Sequence, residues 1–199
     1  IKSQEQISQQ RDTIRAQKNE IQFKNQQLAK FNQALLNLNK NSVIQTGDWE
    51  KALDYITKQA SELGNISRVG VWGFRNNLNK LVCLRIYQSS TKSYTQGEVI
   101  YAKEAPSYFQ EIYNENIIVA HNAISHPTLQ EFKNSYLVSS EIYSMLDVPF
   151  FLEGKLAGVI CLEQQKEAIH WSNEMITFAQ SLADIITITY RAYLLRQER

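Results

Sequence analysis

Apolar residues recur every seven positions along the first forty residues, in a segment otherwise rich in Gln, Asn and Lys. The repeat consists of Ile7, Ile14, Ile21, Leu28 and Leu35. A sustained seven-residue period is typical of a helix that supercoils around a partner. The second core position is polar until Phe31, so the predicted coiled coil is marginal. A solvated single helix or a partly disordered linker is the alternative interpretation.

The period changes after Gly47. Asp48 is a suitable N-cap for a helix that ends at Gly64-Asn65. Two short stretches rich in Val, Ile and aromatic residues follow, SRVGVWGF and KLVCLRIYQ. They predict a β-hairpin that turns around Asn76-Asn77. The next stretch, TKSYTQGEV, is polar and typical of a loop.

The second half of the chain alternates short helices with strands. Pro106 and Pro127 are placed to begin helices, IIVAHN predicts a short strand between them, and Ser172 is a suitable cap for a last helix. The stretch SMLDVPFFLEGKLAGVICLEQQ predicts a hairpin that turns at Glu153-Gly154. The element order therefore predicts an α+β fold, with a largely antiparallel sheet of five to six strands and helices on its faces.

Composition excludes several classes of protein. The chain has 199 residues, enough for one domain and an appendage, and a net charge of +1, which argues against a nucleic-acid partner. It lacks the roughly 20 consecutive apolar residues that span a bilayer, so we expect no membrane contact. Both cysteines lie in apolar runs, and we expect free thiols in the cytoplasm. Because the first residues already have a helical pattern, we expect a piece of a longer protein.

The hairpin holds residue types that occur in active sites. Asp147 lies in its first strand and Cys161 in its second, but general acid–base chemistry needs a second titratable group close by. Glu153 is in the turn and is not expected to point at Asp147. We therefore expect Asp147 to form a structural hydrogen bond to a loop or a helix end. Gly158 is expected to make room for the terminal helix.

His121 and His126 lie in one segment, AHNAISHP, and imidazole is a versatile metal ligand. Two histidines without a nearby third ligand make a weak site. We therefore predict no metal and place both side chains at the surface or at the rim of a pocket. His170, just before the last helix, is expected to be exposed.

Four stretches together resemble a GAF domain over about residues 48 to 190: RVGVWGF with LVCLRIYQ, SYF with IIVAHNAISHPTLQEF, SMLDVPFFLEGKLAGVICLEQ, and HWSNEMITFAQSLAD. They are most similar to bacterial GAF domains that precede histidine kinase, diguanylate cyclase or phosphatase output domains. The resemblance implies a sheet sandwiched by helices, and terminal helices that run parallel in a dimer and carry signals. It also implies that the other sheet face, roofed by the middle helices and loops, can hold a ligand.

The resemblance leaves the ligand open. The Asn-Lys…Phe…Asp-Glu pattern of cyclic-nucleotide-binding members is not found, and Cys83 and Cys161 lack the following His of bilin-binding members. We therefore predict no cofactor, with an unidentified small ligand as the alternative. Such a ligand would lie between the sheet and the region 94–140. The candidate contacts are Arg85, Tyr87, Tyr108 and His121.

We predict three parts: a coiled-coil signalling helix over residues 1–46, a sensory domain over 47–190 and the start of an output linker helix over 191–199. The predicted function is non-catalytic sensing or relay in a larger bacterial protein, a sensor histidine kinase, as a parallel homodimer formed through the terminal helices. One alternative is a small-molecule-gated receptor domain of a cyclic-di-nucleotide cyclase or phosphatase. The other is a redox enzyme with an exposed cysteine of low pKa.

Overall fold

A computed structural model describes residues 3–197 of the chain. Its helices are α1 (Gln4–Lys40), α2 (Ser42–Thr46), α3 (Trp49–Gly64), α4 (Pro106–Tyr113) and α5 (Asn173–Gln197). Its strands are β1 (Arg68–Arg75), β2 (Lys80–Gln88), β3 (Ser93–Thr95), β4 (Val99–Tyr101), β5 (Ile118–Ala120), β6 (Ile142–Leu152) and β7 (Lys155–Gln165). A 3₁₀ helix (Pro127–Phe132) continues directly into a π-helical turn (Lys133–Leu137), and we call residues 127–137 the lid segment. None of the described helices is long and apolar enough to cross a membrane.

The strands form one antiparallel sheet in the order β3-β2-β1-β7-β6-β5, with β4 paired to the other end of β2. This confirms the predicted α+β fold. The described residues contain seven strands, more than the five to six predicted. The difference arises in TKSYTQGEV, which we interpreted as a loop but which contains β3 and the start of β4. Both are three-residue edge strands, too short for an alternating hydrophobic pattern.

Each face of the sheet is covered by its own hydrophobic core. The first core lies between the sheet and α1, α3 and α5, and it includes Ile56, Leu146, Leu162 and Phe178. The second lies between the opposite face, α4 and the lid segment, and it includes Phe109 and other residues from α4, the lid segment and the strands. The sheet therefore separates a helical face from a roofed face.

The N-terminal helix has two environments. Its last ten residues join the first core, where Phe31 and Leu38 are buried and the Phe31 ring stacks on Phe178 with centroids 4.4 Å apart. Leu35, the last member of the heptad repeat, also packs against this core. The four earlier members remain exposed: Ile7 44 %, Ile14 56 %, Ile21 59 % and Leu28 42 %.

Several predicted caps and turns are confirmed. The carboxylate of Asp48 accepts a hydrogen bond from the amide of Lys51, and the Ser172 hydroxyl accepts one from Met175. In the β6–β7 turn, Glu153 and Gly154 both have positive φ, as a two-residue hairpin turn of the primed type requires. These local signals mark the ends of the elements in the folded structure.

The prediction for Gly158 is wrong. A Cβ at this position would overlap the carbonyl oxygen of Trp72 on β1 and the ring of Phe150 on β6, and not the terminal helix. Gly158 pairs with both neighbouring strands, opposite Gly73 and Phe150. The close approach is therefore made within the sheet, because the Phe150 side chain lies across the glycine.

We expect Gly158→Ala to destabilise the fold by about 2 kcal/mol or more, since the backbone of β1 cannot move aside. Gly97→Ala is the matched control. Unlike Gly158 it has a positive φ, but it meets nothing within 4 Å, so backbone strain alone should lower its stability by about 1 kcal/mol. Urea unfolding of the two variants measures the difference. Equal losses would show that the contact with Trp72 and Phe150 is unimportant.

Candidate functional site

A β-bulge decides which way the middle of β2 faces. The register between β1 and β2 shifts after Val71, which leaves Leu84 without a partner. Cys83 therefore lies in the second core, whereas Leu84 packs on the first. Arg85 follows Leu84 to the helical face, where its guanidinium pairs with the carboxylate of Asp54 on α3.

The four predicted pocket residues do not come together. The Arg85 guanidinium donates hydrogen bonds to Asp54 and Gln96. The Tyr87 ring lies 5.1 Å from the Tyr94 ring. The Tyr94 hydroxyl in turn donates to the Asp54 carbonyl. His121 is exposed beyond the end of β5. Its ring stacks on His170 at 4.0 Å, and its Nδ1 accepts a hydrogen bond from the Trp171 amide. Tyr108 alone of the four lines the roofed face of the sheet. The four residues therefore do not form one pocket, and only Tyr108 remains a candidate for the roofed face.

The roofed face holds a buried polar cluster that the sequence did not reveal. Asp147 on β6 lies directly opposite Cys161 on β7, and Glu163 lies two residues further on the same face. The Tyr108 hydroxyl donates to Asp147 Oδ2 at 2.5 Å, and the Tyr136 hydroxyl donates to Glu163 Oε1 at 2.5 Å. The thiol of Cys161 lies between the two carboxyl groups and donates to Glu163 Oε1 at 3.3 Å.

Each carboxyl group of this cluster keeps one oxygen without a hydrogen-bond partner. Among residues 3–197, neither Asp147 Oδ1 nor Glu163 Oε2 has one, although both atoms are buried. The Arg68 guanidinium lies 3.4 Å from Glu163 Oε2, which is an ion pair at long range and not a hydrogen bond. A buried polar atom without a partner costs about 1–3 kcal/mol, and more when it is charged. Two buried carboxyl oxygens therefore lack a hydrogen bond, and only the one on Glu163 has a cation nearby.

Asp147 and Glu163 both line a small cavity of about 20 Å³, which is room for about one water molecule. Its walls are aromatic and apolar apart from the polar cluster. They are formed by Trp72, Leu81, Ile100, Tyr108, Phe132, Tyr136, Met145, Asp147, Cys161 and Glu163. In this closed form the cavity cannot hold a ligand of ordinary size.

The lid segment borders both this cavity and a groove on the surface. The groove has a volume of about 500 Å³, and Ile100, Phe132 and Tyr136 line both spaces. Three carboxylate residues, Glu98, Glu104 and Glu131, line the outer side. A 3₁₀ helix followed by a π-helical turn often marks a hinge, because neither has the hydrogen bonding of a regular α-helix. Movement of Phe132 and Tyr136 would join the cavity to the groove.

Burial dominates the protonation of the cluster. It raises the pKa of Asp147 to about 7, although the Cys161 thiol and the Tyr108 hydroxyl partly oppose the shift. Burial also raises the pKa of Glu163, against the effect of Arg68. The same cause raises the pKa of Cys83 to about 12 and that of Cys161 well above its usual value. Both thiols are therefore protonated and buried, and neither has the low pKa and exposure of a reactive cysteine.

The expected partner of Asp147 was a loop or a helix end, whereas the structure provides the side chain of Tyr108 on α4. Counting back from the Glu153-Gly154 turn would place Asp147 opposite Ile160. A bulge between Phe150 and Phe151 moves the pairing by one residue, to Cys161. Without that bulge in view, Glu163 could not be recognised as a neighbour of Asp147.

The histidines hold structural positions. His126 Nδ1 accepts a hydrogen bond from the amide of Thr128 and so caps the 3₁₀ helix. In the part of the chain that the structure describes, no group of three His, Cys, Asp or Glu side chains could hold a metal ion.

The domain is thus built on a sheet with two different faces. One face packs on the terminal helices, and the other carries a small roofed cavity. The GAF domain family matches residues 48–190, and the chain belongs to that family. This confirms the resemblance seen in the sequence. Among curated protein sequences, none matches the chain significantly.

Solved structures share this fold at low sequence identity. The GAF domain of PixJ from Thermosynechococcus elongatus, in its blue-light-absorbing form, is 19 % identical with a TM-score of 0.63, covering 76 % of this chain and 90 % of its own. The free methionine-R-sulfoxide reductase of Neisseria meningitidis, in complex with its substrate, is 17 % identical with a TM-score of 0.61, covering 85 % and 89 %. The GAF domain of a Coxiella burnetii phosphoenolpyruvate-protein phosphotransferase is 15 % identical with a TM-score of 0.62, covering 87 % and 97 %. The fold is thus shared by sensory domains and by an enzyme.

We expect Asp147→Asn to remove a pH dependence of stability. Between the unfolded pKa of 3.8 and the folded pKa of about 7, the folded protein holds a proton that the unfolded chain releases. The stability of the unchanged protein relative to Asp147→Asn should therefore fall as the pH rises from 4 to 7, by up to about 4 kcal/mol.

Urea unfolding at several pH values measures this difference. Asp12→Asn, an exposed carboxylate on α1, is the matched control and should show no such trend. A constant difference between the unchanged protein and Asp147→Asn would mean that Asp147 is not held protonated by burial.

Proposed function

We propose that this GAF domain is a sensory and relay domain of a larger bacterial signalling protein, a sensor histidine kinase. In this proposal two copies form a parallel dimer through α1 and α5, and a small rotation or shift of these helices carries the signal to an output domain. The observation that carries the proposal is the exposed heptad stripe of α1.

The stripe is too regular for scattered surface residues. Its four exposed members are seven residues apart on a helix of 37 residues, which is about 55 Å long. A single exposed apolar residue is ordinary, but exposed apolar residues that recur once per heptad along one helix favour a partner. A second copy of the same helix fits best, because a heptad stripe pairs with a heptad stripe. On α5, Ile188 and Leu195 are also seven residues apart and each is 57 % exposed.

The same helices also connect the stripe to the domain. Phe31, at the end of the exposed part of α1, stacks on Phe178 of α5. A rotation of α1 in the dimer therefore acts directly on α5. The polar residues at the second core position lower the stability of any one packing, which makes alternative packings close in free energy.

We expect Ile14→Asp with Ile21→Asp to convert a dimer to a monomer, because two charges would then face each other in the seam. Asn19→Asp with Gln26→Asp is the matched control: it adds the same charge to the same helix outside the stripe. Sedimentation equilibrium at several concentrations measures the association. An unchanged protein that stays monomeric at high concentration would contradict the proposed dimer.

The alternative, a ligand-gated receptor domain of a cyclic-di-nucleotide cyclase or phosphatase, is favoured by a different observation. Asp147 Oδ1 and Glu163 Oε2 are buried and have no hydrogen-bond partners among the described residues, and both residues line the cavity. A small molecule with donor groups would satisfy both. The solved complex of the Neisseria reductase with its substrate is a precedent for a small molecule on a protein of this fold.

Ligand binding at the cavity can reach α5 through β5. Asp147 pairs with Ile118, at the start of that strand. At its other end, the Ala120 carbonyl accepts a hydrogen bond from Trp171 Nε1 at 3.1 Å. Trp171 is buried and lies just before α5, so a shift of β5 would move the first turn of that helix.

We expect Tyr136→Phe to increase the rate at which a thiol reagent labels Cys161, measured in a Cys83→Ala background. The substitution removes the hydrogen bond that ties the lid segment to Glu163. A rate increase of about fivefold or more corresponds to the loss of about 1 kcal/mol from the closed state.

Tyr143→Phe is the control, because this tyrosine is exposed on β6. The labelling rate of Cys161 is compared between the two variants under conditions where their stabilities are equal. The same rate in both would show that Cys161 is exposed only by global unfolding and that the lid segment does not open separately.

The third hypothesis, cysteine redox chemistry, has less support. It needs a thiol that is accessible and has a lowered pKa, whereas burial raises the pKa of both Cys83 and Cys161. Rapid labelling of either thiol in the unchanged protein would revive it.

A further inference from the structure

We infer that the cavity and groove select a small organic cation with N–H donors, carried by an amidinium, guanidinium or ammonium group. The inference rests on the ligand-gated form of the proposed function and specifies its ligand. The charged head would lie in the cavity that Asp147 and Glu163 line, and the rest of the molecule would lie in the groove outside the lid segment.

The first argument is the kind of hydrogen bond that is missing. Three buried side-chain polar atoms within residues 3–197 have no hydrogen-bond partner. All three are carboxylate oxygens, which accept hydrogen bonds, and all three belong to residues that line the cavity or the groove: Asp147 Oδ1, Glu163 Oε2 and Glu131 Oε2. A ligand that satisfies them must bring donors.

The donors of the cluster are already used. The hydroxyls of Tyr108 and Tyr136 each donate to one carboxyl group, and the Cys161 thiol donates to the second. These groups therefore leave one oxygen of each carboxyl group without a hydrogen bond, and only the one on Glu163 has the Arg68 guanidinium nearby. Charge-assisted bonds from a planar N–H fork match such paired carboxylate oxygens better than neutral donors do.

The second argument is the charge of the approach. Glu98, Glu104 and Glu131 line the groove, and its other lining residues, among those described, are uncharged. The Glu104 carboxyl group accepts a hydrogen bond from the Tyr101 amide, and that of Glu131 accepts one from the Ser107 amide. These bonds fix the positions of both carboxyl groups. A cleft of one charge sign raises the local concentration of the opposite ion. The groove therefore favours cations and repels anions.

The third argument is the aromatic wall. Trp72, Tyr108, Phe132 and Tyr136 surround the carboxyl groups, and aromatic faces attract cations. The protein already places one guanidinium here. Arg68 lies 5.7 Å from the centroid of the Tyr136 ring and 3.4 Å from Glu163 Oε2. Arg68 approaches Glu163 and not Asp147, so Asp147 is the carboxyl group that a ligand cation would compensate.

The size of the cavity places the rest of the ligand outside. About 20 Å³ holds one water molecule, whereas the groove offers about 500 Å³. Phe132 and Tyr136 stand between the two spaces, so the head group enters only when the lid segment moves. A ligand of this kind would then hold the lid segment in its open position.

Three molecules of one shape and different charge test the inference: benzamidine, benzamide and benzoate. We expect benzamidine to bind, measured by calorimetry at pH 8, with benzamide at least about tenfold weaker and benzoate weaker still. Benzamidine should also bind more tightly at pH 8 than at pH 6, because Asp147 ionises with a pKa of about 7, whereas benzamide should show no such change.

Asp147→Asn should weaken benzamidine binding at least about tenfold while leaving benzamide unchanged, since the amide keeps the shape of the side chain but loses the charge. Asp12→Asn is the matched control and should bind benzamidine normally. Thermal unfolding of each variant without a probe shows that both are folded. Protection of Cys161 from labelling in the Cys83→Ala background places the bound molecule in the cavity.

The outcomes separate this inference from the function on which it rests. If benzamide or benzoate protects Cys161 as well as benzamidine does, the cavity binds small molecules but does not select cations, and the inference is overturned while ligand gating stands. Unchanged benzamidine binding by Asp147→Asn overturns the inference in the same way. Two results together would contradict the ligand-gated function as well: none of the three molecules binds, and Cys161 in Tyr136→Phe is labelled only by global unfolding.

Discussion

The pairing of β6 with β7 holds the two faces of this domain in register. Each strand has eleven residues, and their side chains alternate between the first core and the roofed face. Leu146 and Ile160 point to the helices, whereas Asp147 and Cys161 point to the cavity. The bulge near the turn and the absence of a side chain at Gly158 allow β7 to lie against both β1 and β6. A shift of one residue would move the carboxyl groups into the helical core.

Local signals were sufficient to predict most of the fold. Asp48 and Ser172 as caps, Glu153-Gly154 as a turn and the alternation along the hairpin strands all led to the observed elements. The failures lie where two strands depart from regular pairing. The bulge at Leu84 turned Arg85 to α3, and the bulge beside Phe150 brought Glu163 within reach of Asp147. Leu84 has no glycine or proline beside it, so the sequence carries no mark of the first bulge. At the second, Gly158 follows the displaced Ala157, but a glycine inside a strand also fits a close approach, which is how we interpreted it.

The cavity is the place where the domain departs from the rules of a stable core. Polar groups in a protein interior are normally fully bonded, because an incomplete network is less stable than an apolar one. Here two carboxyl groups share a wall with four aromatic rings, and each keeps an oxygen without a hydrogen bond. An apolar side chain in place of Asp147 would cover this part of the sheet without desolvating a carboxyl group. Departures of this kind are expected at functional sites, where stability is given up for binding.

The sheet joins this site to the terminal helices more directly than any loop does. Leu146 and Val148 flank Asp147 on β6 and belong to the core that packs on α5. If the proposed ligand displaces Asp147, its two neighbours would move relative to Phe178 and Leu182. Interfaces packed at the density of a protein interior respond by changing between discrete arrangements, since they cannot deform continuously. Phe31 stacks on Phe178, so the same change would reach α1. A ligand that favours one position of β6 by a few kcal/mol would then shift the balance between two packings of the helices.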